Sequence, residues 1–128
     1  MTDWKAVILG SLITSALTLA LGLAIFPLFF LGPLIGGFAT IYLVTEGSTE
    51  GVIHGALAGI IGGLIIGFFS LLGLGIITAF IGILSSSLGN LAGFISALMG
   101  GLLTIVLVLI TGVLGALGGV LAEQNMNN

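Results

Sequence analysis

Glycine recurs at every fourth position in the apolar run GVIHGALAGIIGGLIIGFF, at Gly51, Gly55, Gly59, Gly63 and Gly67. In a solvated helix five glycines would cost about 5 kcal/mol relative to alanine. The cost is offset where the missing side chains let another backbone come close, which is how helices associate in lipid. Successive i+4 positions advance by about 40° around a helix, so the stripe winds slowly about its axis. The spacing predicts a helix whose small-residue face receives a partner. Half of the stripe could serve an internal neighbour and the other half a second subunit.

What surrounds such a helix follows from the charge. Lys and Arg number 1, Asp and Glu 4, in 128 residues that are 59% hydrophobic, with a mean hydropathy of +1.47. A soluble domain of this size is about one quarter charged. With so few charges the surface could not be kept in water, and a bilayer is the solvent that fits. No Lys/Arg cluster exists to bind nucleic acid or anionic lipid. The absence of Cys excludes disulfides, thiolate chemistry and Cys-ligated metals.

A span needs about 20 apolar residues. Four runs meet that need, at about 5–26, 28–45, 51–72 and 102–122, within a single transmembrane domain over 1–128. Trp4 is an interfacial anchor and Pro27 ends the first run. Ser48 or Thr49 is placed to cap the third, with Glu50 in its first turn complementing the dipole. The first apolar run is longer than a signal peptide's core and predicts a retained span.

The uncharged stretch 73–101, broken by Ser85-Ser86-Ser87, Gly89 and Asn90, is ambiguous. A continuous helix over 51–84 would reach about 50 Å, too long for one crossing. Three readings remain: a helical cap at the membrane face, which is preferred, a re-entrant hairpin, or a fifth span. With four spans, Asp3, Lys5, Glu46, Glu50, His54 and Glu123 all fall at one face. Lys5, the sole positive side chain, places that face and both termini in the cytoplasm. The expected fold is therefore an all-α, compact four-helix bundle of the cell membrane with glycine-zipper packing.

The chain starts Met1-Thr2-Asp3-Trp4-Lys5, and its second run contains Gly36-Gly37-Phe38-Ala39-Thr40-Ile41-Tyr42-Leu43. The third opens Gly51-Val52-Ile53-His54-Gly55-Ala56-Leu57-Ala58-Gly59. Over nearly its whole length the chain resembles a family of small archaeal membrane proteins catalogued as a domain of unknown function (family 5518). The resemblance implies a four-span integral membrane protein of archaeal origin. It brings no activity or site residue.

Chemical groups are scarce. His54 lies four residues after Glu50, on the same helix face, so the two form a candidate interfacial titrating pair. Only Glu46 is close enough in sequence to join them, in no metal-ligand pattern, so neither metal nor cofactor is expected. The spans offer no ionisable reagent for acid–base catalysis or ion coupling, and no enzyme activity is expected. Ser11, Thr14, Ser15 and Thr18 form a hydroxyl face on the first span. Such hydroxyls bond back to their own helix or line a path for a small solute.

The leading expectation is a non-catalytic structural or assembly protein, in contact with lipid and with further copies of itself or another membrane protein. The alternative is a small passive channel with a Ser/Thr- and backbone-lined path, and the third is a minor subunit of a larger membrane complex. The direction of the hydroxyl face separates the first two: onto packed glycines for structure, into a continuous cavity for permeation.

Overall fold

The computed structural model describes residues 2–44 and 50–128. They form four α-helices and one short turn of 3-10 helix, and the expected all-α architecture is the observed one. Glu46, Ser48 and Thr49, expected in the turn before the third helix, lie outside the described residues.

Helix α1 (Trp4–Ala24) begins where the Asp3 carboxylate accepts the backbone N–H groups of Lys5 and Ala6 at 3.1 and 3.3 Å. That contact satisfies two donors left without partners at a helix start. The helix stops short of Pro27, which has no N–H to bond the Leu23 carbonyl and whose ring would clash with it, and Ile25 turns the chain in extended conformation. A 3-10 turn (Phe26–Leu28) leads to α2 (Leu31–Leu43), with Pro33 in the first turn, where its missing N–H costs little. Helices α3 (Gly51–Leu84) and α4 (Ser86–Met126) then form one long hairpin.

All four segments, counting the 3-10 turn with α2, are long and apolar enough to cross a membrane. Their character is compatible with a small multi-pass membrane protein.

The stretch 73–101 is neither a separate cap, a re-entrant element nor a fifth span. Residues 73–84 continue α3 and 86–101 begin α4, so α3 does run unbroken for 34 residues. Hydrocarbon thickness limits how much helix lipid can cover, but it does not limit how long a helix can grow. Here each arm is covered along one side by the other, and every interior backbone group bonds within its own helix. The corner is the single residue Ser85, in extended conformation. So tight a turn presses the two backbones together at Gly82 and Gly89, where a Cβ on Gly89 would lie 2.9 Å from the Gly82 nitrogen. The last helix also passes its expected end at 122 and reaches Met126, since Glu and Gln continue a helix readily.

The interior is the reverse of a soluble core. Buried hydrophobic side chains are few, Ala6, Val7, Ile41, Ala58, Ile66 and Ala122, accompanied by buried hydroxyls and glycines. Most Leu, Ile and Phe side chains point outwards, with Leu23 88% and Phe26 77% exposed. Small residues inside and large apolar ones outside is the arrangement lipid favours, because lipid gives no hydrophobic reward for hiding leucine.

None of the described glycines has a positive φ, so they are not present to permit unusual backbone. They permit close approach. A Cβ at Gly55 would collide with the Gly115 carbonyl, and one at Gly59 with the Thr111 carbonyl. At Gly51 it would meet the Gly119 carbonyl oxygen at 2.6 Å, at Gly63 the Val108 Cα at 2.9 Å, and at Gly67 the Thr104 side chain. All five glycines of the stripe thus face α4, and Gly62, on a neighbouring line, faces Thr14 of α1. Gly37 and Gly118 bring α2 onto α4 in the same way.

Candidate functional site

Polar side chains gather at the pole where α1 and α3 start and α4 ends, along a seam between α1 and α2, and at the Ser85–Asn90 corner of the long hairpin.

At the pole, His54 is fully buried one turn into α3. Its Nε2 accepts the backbone N–H of Asp3 at 3.0 Å, and its Nδ1 lies 3.0 Å from the backbone oxygen of Glu50. An N–H must donate, so Nε2 carries no proton and Nδ1–H donates to the carbonyl. The ring therefore ties the start of α1 to the start of α3. This differs from the expected interfacial side-chain pair of Glu50 and His54: the contact on Glu50 is its backbone oxygen, Glu50 itself is exposed, and the imidazole is buried. With both nitrogens engaged and no exposed surface, the imidazole is built to hold two helices together.

Two further contacts close the pole. The Glu123 carboxylate of α4 accepts the Gly51 N–H at 3.0 Å, placing a negative charge at the start of α3. Asn125 donates to the Tyr42 hydroxyl at 3.0 Å, joining the ends of α4 and α2. Neither pairing is visible locally, since the partners stand 72 and 83 positions apart. The Asp3 cap does carry a local signal that the sequence reading passed over, an Asp immediately before an apolar run. Among the described residues no group of three or more His, Cys, Asp or Glu could hold a metal ion.

Along the seam, Ser11, Thr14, Ser15 and Thr18 are all buried. Ser11 donates to the Ile8 carbonyl at 2.7 Å, Ser15 to that of Ser11 at 2.9 Å, and Thr18 to that of Thr14 at 2.6 Å. Thr40 of α2 likewise donates to Gly36 at 2.7 Å. These side chains fit the glycines of the opposite helix: Thr40 against Gly10, Thr14 against Gly36, Thr18 against Gly32. Bonding back to the helix hides the hydroxyl's polarity and leaves a compact knob for a glycine hole. Thr14 differs from its neighbours, since its buried Oγ1 has no hydrogen-bond partner. It sits where Gly36 of α2 and Gly62 of α3 converge on α1.

A cleft of about 150 Å³ lies elsewhere, between the α3 and α4 arms, lined by Leu71, Leu74, Gly75, Thr78, Gly93, Ser96 and Ala97.

No curated protein and no solved structure matches the sequence. The family of unknown function DUF5518 matches over residues 4–124, and with nearly its full length inside that match the chain belongs to this family.

Proposed function

We propose that this protein is a non-catalytic structural or assembly component of a cell membrane, whose outer faces meet lipid and further copies of the chain. The observation that carries this reading is the direction of the α1 hydroxyls. Thr14 and Thr18 press against Gly36 and Gly32, where a permeation path would need open volume. The polar pole supports it too, since its bonds join four helix ends and its one imidazole has no free nitrogen. The passive-channel reading has one observation in its favour, the unpartnered Oγ1 of Thr14 at a three-helix junction.

Purified protein reconstituted in vesicles, assayed for water and small neutral-solute flux, separates the two. The structural reading expects flux equal to that of protein-free vesicles, with a defined oligomer in mild detergent. Flux above background that changes in Thr14→Val would overturn it in favour of permeation.

A further inference from the structure

The two helical hairpins end at different heights. Asp3 of α1 meets His54 of α3, and Thr14 of α1 packs on Gly62 of α3, so these helices run the same way. Counted on from the Thr14–Gly62 contact at equal rise, Ala24 ends α1 at about the height of Leu72. Helix α3 then continues for twelve residues, about 18 Å. Burial follows the same division: the last buried residue of α3 is Gly67 and the first of α4 is Gly100. Beside the protruding α3–α4 arms, beneath the α1–α2 turn, lies a notch.

The far membrane face could stand at either level, and the side chains distinguish them. Placed at the α1–α2 turn, it would leave the arms in water, with exposed Ile76, Phe80, Leu84, Leu91, Phe94 and Leu98 and no charged residue between 51 and 122. Exposed apolar surface of that extent marks contact with a partner or with lipid.

Placed at the tip, the face meets Ser85, Ser86, Ser87 and Asn90, with Ser86, Ser87 and Asn90 exposed. The α1–α2 turn then lies in hydrocarbon and is suited to it. Residues 19–39 contain no polar side chain. Within the turn Leu28, Phe29 and Gly32 donate to the carbonyls of Ile25, Phe26 and Phe29, and Pro27 has no N–H to satisfy. Each N–H so bonded is one fewer donor for hydrocarbon to penalise. The 34 residues of α3 extend about 51 Å against roughly 30 Å of hydrocarbon, so the long hairpin crosses tilted or in a thickened bilayer. At a tilt of about 40° the turn still lies some 14 Å below the tip.

We propose that the α1–α2 turn at Phe26–Phe30 ends inside the membrane, that only the Ser85–Asn90 tip reaches the far face, and that lipid acyl chains fill the notch between them.

The chain has no cysteine, so single spin labels can be placed at will. In reconstituted Phe26→Cys, Phe80→Cys and Ser86→Cys, collision with oxygen and with a water-soluble nickel chelate reports depth. The expected result is oxygen-dominated relaxation at 26 and 80 and chelate-dominated relaxation at 86. Chelate access at 80 or 26 comparable to that at 86 would overturn the proposal, since the hairpin would then stand in water or the turn would lie at the surface. An immobilised, dipolar-broadened label at 80 would overturn it in favour of a second copy covering the arms. Oxygen-dominated relaxation at 86 would also overturn it. If Phe26→Cys fails to fold, Leu23→Cys, 88% exposed in the last turn of α1, reports the same level.

Discussion

The imidazole Nε2 of His54 accepts the backbone N–H of Asp3 at 3.0 Å, which makes one buried side chain the link between the starts of α1 and α3. The same ring reaches the Glu50 carbonyl at 3.0 Å. Removing it in His54→Ala leaves a cavity and takes away the imidazole acceptor of the Asp3 N–H, for an expected loss of about 3 kcal/mol. His54→Phe fills the space but not the bonds, and is expected to lose about 1–2 kcal/mol. Thermal unfolding in detergent checks both, and equal stability of His54→Ala and wild type would refute the link.

The tautomer is a separate expectation. The ¹⁵N spectrum of neutral His54 should show a protonated Nδ1 and an unprotonated Nε2. The opposite tautomer is incompatible with an Asp3 donor.

Glycines of one helix provide a matched pair for the packing argument. At Gly59 an added Cβ would meet the Thr111 carbonyl carbon at 2.7 Å, whereas at Gly73 nothing lies within 4 Å. Leucine improves helix propensity at both by nearly 1 kcal/mol. Gly59→Leu is nevertheless expected to destabilise by about 1–3 kcal/mol net, because the Thr111 backbone has no way to yield without moving α4. Gly73→Leu is expected to be neutral or stabilising. Equal unfolding midpoints for the two glycine variants would show that the spacing reflects composition alone.

Glu123 caps a helix on which it does not lie. Glu123→Ala is expected to cost about 1 kcal/mol through the lost acceptor for Gly51. Glu123→Gln keeps an acceptor and loses only the charge–dipole part, about 0.5 kcal/mol. Raising salt should shrink the difference between wild type and Glu123→Gln, because screening acts on charge alone. A difference that persists in high salt would assign it to geometry.

Both chain ends lie at the polar pole, where Asp3 meets His54 and Glu123 meets Gly51. Cysteines at positions 2 and 127 should therefore react alike with a membrane-impermeant reagent. Opposite labelling would place the ends on different faces.

Apolar run length and glycine spacing are enough to place four helices and the faces on which they can be approached. Five charges in 128 residues and four long apolar helices are compatible with lipid surroundings, and the four-residue glycine spacing marks a face that a backbone can approach, because helical period is a local property. Which backbone approaches is settled by packing. The stripe from Gly51 to Gly67 is taken up along its whole length by α4, with no half left for a neighbour. Local spacing names a face and not its partner. Choice of partner depends on register between segments far apart in the chain, as with Gly51 and Glu123 or Tyr42 and Asn125. The stretch 73–101 makes the same point about length. As two separate segments, 73–84 and 86–101 are ambiguous, and a bilayer's thickness argues against extending either neighbour through them. Packed against each other they form a hairpin, since each arm supplies the covered side that the other lacks.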